Sequence, residues 1–402
     1  MIKENLPEGW SNVSINSVLK KVRNPVEVDP EKTYREIGIR SHGKGIFHKD
    51  ECLGESLGDK SVFWIEPDCF IVNIVFAWEQ AVARTTTNES GMIASHRFPM
   101  YKPVPEKLDL DFILYFFKTP LGKSLLELAS PGGAGRNKTL GQEGFHKLVI
   151  PLPPLAEQRK IAEILSTWDE AITKTERLIA ALQARKKGLM QRLLTGQVRF
   201  PGFEGEWKIE KFSDILDIQI GRTPSRNEPL YWDSEKRTKN IWLSISDMQG
   251  KFIVDSKEYI SDEGIRAAHA TLVPKGTVLM SFKLTIGRVA IPVRDVFTNE
   301  AICAFFPKDK EKLLNRYLYH AISNVRFDKE LDQAVKGQTL NMEKIRRLEL
   351  SLPSYPEQLK IADLLDTYDE LLTIHAKQQI LLKLQKKGLM QRLLTGEIRV
   401  SG

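Results

Sequence analysis

The sequence predicts a mixed α/β (α+β) fold, in which two variable domains alternate with two long helices that pair as an antiparallel coiled coil. The first observation is a repeat: residues 151–200 align without a gap with residues 351–400, and 25 of the 50 positions are identical. The second is the helical periodicity of apolar residues in both copies, and the third is a set of short β-branched segments elsewhere. Together these observations predict a duplicated chain with pseudo-two-fold symmetry.

The repeated segments are predicted to be helices of about 39 residues, which is about 58 Å at 1.5 Å per residue. Prolines at 151, 153 and 154 precede the first copy, and Gly196 is expected to end it. Apolar residues recur at steps of four and three from Ile161 to Leu193, with interruptions at Thr175 and Lys186. Each copy therefore carries an apolar stripe that needs a partner, and the other copy is the obvious one.

The repeat divides the chain into four segments. We expect a first variable domain at 1–150, a first spacer helix at 151–200, a second variable domain at 201–350 and a second spacer helix at 351–402. Segments such as TLVPKGTVLMSF and VAIPVRD are typical of strands, whereas residues 108–130 and 312–335 are expected to be helical. An antiparallel helix pair is favoured because a parallel pair would require the chain to return about 58 Å along the rod.

Composition restricts the class of protein. Of the 402 residues, 42% are hydrophobic and 28% charged, which is typical of globular domains, and the net charge of +7 weakly favours an acidic partner. Three cysteines exclude a disulfide framework and suit a reducing compartment. With no apolar leader at the start and no apolar stretch long enough for a bilayer, the sequence predicts a cytoplasmic protein.

Catalytic motifs are incomplete. Residues 38–44 match G-x-x-x-x-G-K, but Gly45 stands where a phosphate loop needs Ser or Thr, so a turn between strands is favoured. The tetrapeptides N-P-P-[YF] and D-P-P-[YF], which an adenine methyltransferase needs to hold a flipped base, are absent from the sequence. Two weaker hypotheses are a zinc site at His42, His48, Cys52 and Cys69, and a nuclease site at Asp247, Asp255 and Lys257. We expect no catalytic residue and no metal ligand in this chain.

Binding chemistry is concentrated in the variable domains, where Arg, Lys, Asn, Gln, Ser and Thr accompany glycine. Such side chains contact base edges and phosphates of DNA, although each cluster taken alone is also compatible with a solvated loop. The candidate DNA-binding residues of the first domain are Arg40, Ser41, His42, Lys44, Arg84, Arg136, Asn137 and Lys138. Those of the second domain are Arg222, Thr223, Ser225, Arg226, Lys283, Arg288, Lys336, Gln338 and Thr339. Arg40 and Arg222 are the first candidates for base contact, and Lys138 and Lys336 for phosphate contact.

A second set of candidates lies near the end of each repeated helix, within the block KKGLMQRLLTG. The predicted partner-docking residues are Lys186, Lys187, Gly188, Arg192, Lys386, Lys387, Gly388 and Arg392. The alternative for the cations is a solvated face that interacts favourably with the helix macrodipole. Glycine inside a helix costs about 1 kcal/mol relative to alanine, so its presence in both copies indicates either docking of a partner or close packing within the chain.

The doubled motif L-P-x-x-x-E-Q-x-x-I-x-x-x-L-x-x-x-D, followed by K-K-G-L-M-Q-x-L-L-T-G, resembles the specificity subunit of Type I restriction–modification systems. The resemblance covers nearly the whole chain. It implies two target-recognition domains that each read one half of a bipartite, asymmetric DNA target, with the helices as spacer. It also implies assembly with two methyltransferase subunits and two restriction/translocase subunits. S-adenosylmethionine, Mg²⁺ and ATP would then be bound by those partners.

Two other functions stay open at this point. A stand-alone DNA-modifying enzyme would need the missing cofactor and base-flipping motifs, and an activity assay on the isolated chain distinguishes it. A purely structural coiled-coil adaptor would bind proteins only, and sequence-selective, salt-dependent DNA binding distinguishes it. The sequence favours a non-catalytic DNA-binding subunit over both.

Overall fold

The computed structural model describes residues 6–132, 138–325, 327, 332–334 and 337–400. The chain forms two compact units. The first unit contains the residues up to Glu176 together with those from Lys377 onward, and the second contains Arg177–Ala376. Each unit therefore combines one variable domain with parts of both repeated helices. In the described ranges, we find no helix long and apolar enough to cross a membrane.

In its described residues, the first unit contains ten strands and four short helices, followed by the start of a long helix. Its strands are β1 Ser11–Ser14, β2 Leu19–Val22, β3 Thr33–Ile39, β4 Ile46–Leu53, β5 Val62–Trp64, β6 Phe70–Val72, β7 Val82–Arg84, β8 Ile93–Ser95, β9 Met100–Pro103 and β10 Val149–Leu152. Its helices are α1 Ile15–Val18, α2 Leu110–Phe117, α3 Pro120–Leu128, α4 Gln142–Lys147 and the first part of α5 Leu155–Leu193. Short 3-10 turns lie at Gly54–Leu57, Ala77–Glu79 and Thr87–Glu89.

These strands form two four-stranded sheets, in the orders β4-β3-β8-β5 and β2-β9-β6-β7, and an antiparallel pair of β1 with β10. Aromatic side chains fill the space between the second sheet and helices α2 and α4. Phe70, Phe117 and Phe145 are fully buried, and their ring centroids lie 5.4–6.1 Å apart. Burial of these rings stabilises the unit by roughly 1.5–3 kcal/mol each.

The second unit also combines strands and short helices with the start of a long helix, but in the described residues its strands differ in number and its helices in length. Its strands are β11 Lys208–Lys211, β12 Leu216–Ile220, β13 Ile241–Leu243, β14 Phe252–Ile253, β15 Glu258–Tyr259, β16 Val278–Ser281, β17 Val289–Pro292, β18 Phe297–Thr298, β19 Ile302–Pro307, β20 Asp332–Ala334, β21 Gly337–Thr339 and β22 Glu349–Leu352. Its helices are α6 Phe212–Ile215, α7 Asp262–Ala268, α8 Asn315–Asn324, α9 Met342–Arg347 and the first part of α10 Tyr355–Leu394, with 3-10 turns at Pro229–Tyr231 and Ile245–Asp247.

A five-stranded sheet, β12-β19-β16-β17-β14, forms the body of the second unit. A separate three-stranded sheet, β15-β13-β18, packs against it, since Ile241 and Leu243 share a buried cluster with Leu279 and Ala304. Strand β11 pairs with β22 as β1 pairs with β10 in the first unit. In both units this pair connects the start of the variable domain to the residues that enter the long helix. The strand predictions for residues near 278–281 and 289–292 are confirmed.

Within each unit the two long helices run antiparallel. In the first unit Glu157 contacts Arg399 at 2.7 Å, Asp169 contacts Lys386 at 2.5 Å and Glu176 contacts Lys383 at 2.9 Å. The residue numbers therefore rise along one helix as those of the contacting residues fall along the other. In the second unit Lys186 pairs with Asp369, and Arg199 pairs with Glu357 in the same sense. The predicted fold class, with two long helices pairing antiparallel, is confirmed.

Both ends of each long helix are set by local chemistry that the sequence shows. Prolines at 153 and 154 precede the first helical residue, Leu155, because proline lacks the N–H that a helix interior needs. At the other end, Gly196 has a φ of +72°, and its N–H is directed at the carbonyl oxygen of Leu193. Glycine adopts this left-handed conformation without steric cost, which makes it a stop for the helix. Gly396 repeats the arrangement with a φ of +69°.

One buried glutamate in each unit joins three parts of the chain; we call this arrangement the glutamate clamp. Glu357 accepts two hydrogen bonds from Arg199, at 2.9 and 2.8 Å, and one from the indole N–H of Trp207 at 3.1 Å. Glu157 accepts the same three from Arg399 and Trp10, at 2.7, 2.9 and 3.2 Å. Glu357 is completely buried and Glu157 is 4% exposed.

The glutamine after each clamp residue bridges two further segments. The side-chain amide of Gln158 donates to the carbonyl oxygens of Lys107 and Pro153, and its oxygen accepts from the N–H of Asp109. Gln358 makes the equivalent bonds to Lys312, Pro353 and Leu314. Glutamine alone among residues of this size donates and accepts in this way, which explains why the pair E-Q is present in both copies.

One predicted helix is shorter than expected. In the described part of the segment 312–335, the helix runs from Asn315 to Asn324 and ends there because Val325 has extended backbone angles. Strand β20 begins at Asp332. In the first unit the segment 108–130 is helical, but it is divided at Thr119, whose hydroxyl caps a new helix that begins with Pro120. A side chain at Gly122 would lie 2.2 Å from the carbonyl oxygen of Phe116, so only glycine allows this tight junction.

We expect Glu357→Gln to loosen the second unit alone. The substitution keeps the shape but removes the charge that Arg199 and Trp207 bond, so local amide hydrogen exchange in residues 199–212 and 349–358 should accelerate about tenfold. The matched variant Glu157→Gln should accelerate exchange at residues 6–15 and 149–158 instead. Equal effects of either variant on both sets of peptides would show that the clamps do not act within their own units.

Candidate nucleic-acid interface

The turn between β3 and β4 is anchored by hydrogen bonds and presents three exposed side chains. The N–H groups of His42 and Gly43 donate to the carbonyl oxygens of Glu79 and Gln80, at 2.7 and 2.9 Å. Ser41 donates to the carboxylate of Glu79 at 2.8 Å, so its hydroxyl anchors the turn. Arg40, His42 and Lys44 are exposed, and the guanidinium of Arg40 lies over the ring of Phe47 at 4.9 Å. The phosphate-loop lookalike is therefore a hairpin turn, as expected.

Two further candidates of the first domain are already engaged. Arg84 bonds Asp111 at 2.6 Å and Asp68 at 2.7 Å. Although burial alone would lower the pKa of Arg84, these two carboxylates raise it. The ammonium of Lys138 lies over the ring of Trp78 at 5.5 Å. Arg136 and Asn137 lie outside the described residues.

In the second domain, the loop that follows β12 separates an exposed arginine from an engaged one. The backbone N–H of Arg222 donates to Thr298 at 2.7 Å, and its carbonyl accepts from the indole of Trp242 at 3.0 Å. This leaves the side chain of Arg222 exposed. A Cβ at Gly221 would lie 2.1 Å from the carbonyl oxygen of Thr298, so the loop needs glycine there to approach β18.

Arg226, four residues along this loop, has a structural environment instead. Its guanidinium lies 3.9 Å from the ring centroid of Trp232 and 4.8 Å from that of Trp242, and it forms a two-point ion pair with Glu258. Thr223 donates to Glu300, and Ser225 is exposed. A stacked and paired arginine fixes the loop, whereas base contact would require it to leave these partners.

The other candidates of this domain are spread out. Lys283 lies over the ring of Phe282 at 5.4 Å, and Arg288 makes a long contact of 3.4 Å with the carbonyl oxygen of Ile245. Lys336 and the side chains of Gln338 and Thr339 lie outside the described residues. DNA contact by each candidate of both domains stays a prediction.

The repeated lysines of the helices have a role that sequence analysis missed. Lys186 pairs with Asp369 and Lys386 with Asp169, and each lysine side chain is only 15% exposed. Partner docking by these two stays a prediction, but their charge is already used within the helix pair. Lys187, Arg192, Lys387 and Arg392 are exposed, and Arg392 bonds Glu397 at 2.9 Å.

The helical glycines do not pack against the chain. A Cβ added at Gly188 or Gly388 would meet no described atom within 4 Å other than those of its own helix. Close intramolecular packing, one of the two explanations offered for these glycines, is therefore wrong for the described part of the chain. Docking of a partner remains the explanation that the sequence offers.

A network of buried charges ties α8 to α10 within the second unit. Asp366 accepts from Arg316 at 2.6 Å and from the Nε2 of His320 at 2.6 Å, and it also pairs with Lys251. Burial would raise the pKa of Asp366, but these three partners hold it well below its usual range. His320 is completely buried, and burial lowers its pKa, so its ring is neutral.

His320, Asp366 and Asp369 have ligand atoms within 4.8 Å of one another, which suggests a metal site. The basic side chains at this cluster argue against a metal, because Lys251 and Arg316 form ion pairs with Asp366, and Lys186 forms one with Asp369. A divalent ion would have to displace them, so the cluster is a structural ion-pair network. In the first unit, the aspartate that aligns with Asp369 is Asp169, and it accepts a hydrogen bond from the hydroxyl of Tyr115 at 2.7 Å.

The remaining catalytic lookalikes have structural environments. The three cysteines are free, and burial raises the pKa of Cys69 to about 11 and also raises that of Cys303, so neither thiol is a nucleophile at neutral pH. His48 bonds Glu89 at 2.9 Å. Asp247 caps a 3-10 turn and Asp255 accepts from Tyr259 at 2.6 Å.

Comparison with known proteins agrees with this architecture. The sequence profile of a family described as "Type I restriction modification DNA specificity domain" matches residues 66–184 and 204–384. The chain belongs to this family. A specificity subunit of the MjaVIII enzyme from Methanocaldococcus jannaschii is 25% identical over 423 residues, which cover 98% of this chain and 94% of the relative. The EcoR124I/EcoR124II specificity subunit from Escherichia coli is 26% identical over 279 residues, covering 65% and 64% of the two chains.

Solved structures share the fold of this family member. The HsdS subunit from Thermoanaerobacter tengcongensis matches with a TM-score of 0.52 at 19% identity, covering 98% of both chains. The S subunit from M. genitalium matches with a TM-score of 0.59 at 15% identity, covering 98% of this chain and 97% of that one. A chain from a study of complex assembly and conformational transition in a type I R-M system matches with a TM-score of 0.63 at 19% identity, covering 98% and 100%.

We expect the second unit to lose stability between pH 7.5 and 5.5. Because the pKa of His320 is lowered by folding, the unfolded chain binds a proton that the folded chain excludes, and up to about 1.4 kcal/mol is lost over this range. Amide-exchange protection of α8, corrected for intrinsic rates, measures the loss. His320→Gln keeps a donor for Asp366 and should remove this pH dependence; an unchanged dependence would contradict the assignment.

Proposed function

We propose that the chain is the sequence-specific DNA-binding subunit of a Type I restriction–modification complex. The observation that carries the proposal is the doubled scaffold, in which the same clamp, glutamine bridge and helix ends recur while the loops attached to them differ. A scaffold that is kept while its loops diverge suits two recognition domains for two different half-sites. The family match and the names of the relatives support the same function.

The assembly that we propose contains duplex DNA, two methyltransferase subunits and two restriction/translocase subunits. S-adenosylmethionine, Mg²⁺ and ATP would bind to those partners, and this chain would supply recognition and docking. The catalytic lookalikes are consistent with that division, because their residues are committed to packing, capping and ion pairs. A cytoplasmic location follows from this proposal, since the DNA and the partner subunits act there.

In the recognition domains, we propose that Arg40 and Arg222 contact base edges. Both side chains are exposed and lie next to backbone that is fixed by hydrogen bonds, at 3.0 Å from Arg40 N–H to Gly45 and 2.7 Å from Arg222 N–H to Thr298. A fixed backbone reduces the entropy lost on binding, and an arginine fork suits the two acceptors of guanine. Arg84 and Arg226 would instead hold the loops in position.

Arg222→Ala should impair recognition of one half-site and leave the other intact. Losing a two-point base contact costs about 1–3 kcal/mol, so the methylation rate of the original target should fall about 5- to 150-fold, and the methylated sites should become variable in that half alone. Mapping modified adenines in cells that carry the complete system measures this directly. Arg40→Ala is the reciprocal control and should affect the other half-site; loss at both halves from either variant would contradict the two-domain assignment.

The isolated chain should neither methylate nor cleave DNA. The assay supplies labelled S-adenosylmethionine, Mg²⁺ and ATP together with duplexes that contain the mapped target, with and without the partner subunits. Transfer or cleavage should appear only when partners are added. Turnover by the isolated chain that survives a second purification step would favour the stand-alone enzyme instead.

A further inference from the structure

A basic cleft of about 600 Å³ opens beside strands β13 and β15 of the second recognition domain. It is lined by the cations Lys236, Lys239, Lys275 and Arg294, by the ring of Tyr259 and by one carboxylate, Asp295. The four cations come from three separate parts of the sequence. None of them was among the candidates that the sequence suggested, because only the fold brings them together.

Three of the four cations are available for a ligand. Lys236 is held in place, since its ammonium donates to the carbonyl oxygen of Ser256 at 2.5 Å and lies 4.7 Å from the ring centroid of Tyr259. The side chains of Lys239, Lys275 and Arg294 are exposed, and no ion pair or hydrogen bond from them is found within the described ranges. Like charges kept this close without carboxylate partners repel one another, which an anionic ligand would relieve.

One carboxylate near the cleft compensates Lys236, since Asp255 lies 3.6 Å from its ammonium, but the carboxylates are not paired with the other three cations in the described residues. Asp255 accepts from Tyr259 at 2.6 Å, and Asp233 accepts from the backbone N–H of Thr238 at 2.6 Å. Asp295 accepts from the backbone N–H of Lys275 at 2.8 Å. These bonds are directed at groups that form the cleft walls. The three carboxylates are therefore not paired with Lys239, Lys275 or Arg294 in the described residues.

The cleft and the proposed base-contacting arginine lie on the same small sheet. Ile241, the first residue of β13, lines the cleft. The next residue, Trp242, donates to the carbonyl oxygen of Arg222. Neighbouring residues of a strand are about 3.3 Å apart but their side chains point to opposite faces, so the cleft and the Arg222 loop border the same strand.

We propose that Lys239, Lys275 and Arg294 bind consecutive phosphates of the DNA backbone and so hold the second recognition domain on its half-site. This rests on the proposed function and adds a sequence-independent anchor in the domain that carries Arg222. Phosphate contacts fix the position of a protein on the duplex, whereas base contacts select the sequence. The cleft should therefore control affinity and its dependence on salt, and leave the preference for one sequence over another unchanged.

The test compares two triple variants of the full chain, alone and with its methyltransferase subunits. The cleft variant is Lys239→Gln/Lys275→Gln/Arg294→Gln, and the matched control, Lys208→Gln/Lys211→Gln/Lys310→Gln, removes three exposed charges of the same unit outside the cleft. Fluorescence anisotropy of target and scrambled duplexes over a salt series gives the affinity and its salt slope. The cleft variant should reduce the slope of log K against log salt by roughly 2 to 3, because each lost phosphate contact removes about 0.9.

The expected pattern is weaker binding of both duplexes by the cleft variant, with the target-to-scrambled ratio unchanged and the control close to the original protein. Equal slope changes in both triple variants would reduce the effect to net charge and overturn the proposal. A changed ratio would assign these residues to base contact instead. Saturable binding of inorganic phosphate or ATP, lost in the cleft variant while DNA binding is kept, would identify a site for a free anion.

Two controls separate this proposal from the wider one. Circular dichroism melting of both variants shows whether the second unit is folded. If the unsubstituted protein shows no salt-dependent, sequence-selective binding in either form, the proposed function fails. If it binds DNA but the folded cleft variant keeps the original slope, only the cleft assignment fails.

Discussion

The glutamate clamp is the interaction on which the rest of each unit depends. Glu157 and Glu357 sit in the first turn of a long helix, where the macrodipole favours a negative charge. Each carboxylate has lost its water and is compensated by an arginine that binds both oxygens and by an indole N–H. Removing one partner of such a pair leaves an uncompensated buried group, so the three segments that meet there are required together.

The clamp also explains how one scaffold can carry different loops. Its members lie at the first strand of the variable domain, at the start of one helix and just past the end of the other, all outside the divergent regions. The variable domains can therefore change sheet size and loop content, as the four-stranded sheets of the first unit and the five-stranded sheet of the second show. The segments through which the chain enters and leaves each variable domain must stay the same.

The long helices could be predicted almost to the residue, because proline, heptad spacing and glycine act locally. Leu155 and Leu193 bound the first helix, close to the limits that Pro154 and Gly196 indicate. Arg199 and Glu357 lie in the repeated segments, but the sequence does not show that they bind one another or that Trp207 joins them. Their separation of 150 residues or more hides the contact.

The candidate site was harder to predict because charge on a sequence does not reveal which charges are already paired. Arg84 and Arg226 belong to clusters that look like those of Arg40 and Arg222, yet their carboxylate partners lie 16 to 32 residues away in sequence. The basic cleft presents the opposite case, since Lys239, Lys275 and Arg294 come from three separate segments and were not among the candidates that the sequence suggested. Only the folded chain separates cations that hold the protein from cations left for a ligand.

That separation follows from the cost of burying charge. An arginine or lysine whose head group is partly withdrawn from water must gain a carboxylate or an aromatic face in return, as Lys186, Lys386 and Arg199 do. A cation that binds DNA must instead remain hydrated and unpaired until the phosphate arrives, because breaking an internal ion pair would subtract from the binding free energy. For this chain we propose that the exposed cations of the recognition domains that lack carboxylate partners in the described residues, rather than the most basic stretches of sequence, form the surface that DNA would contact.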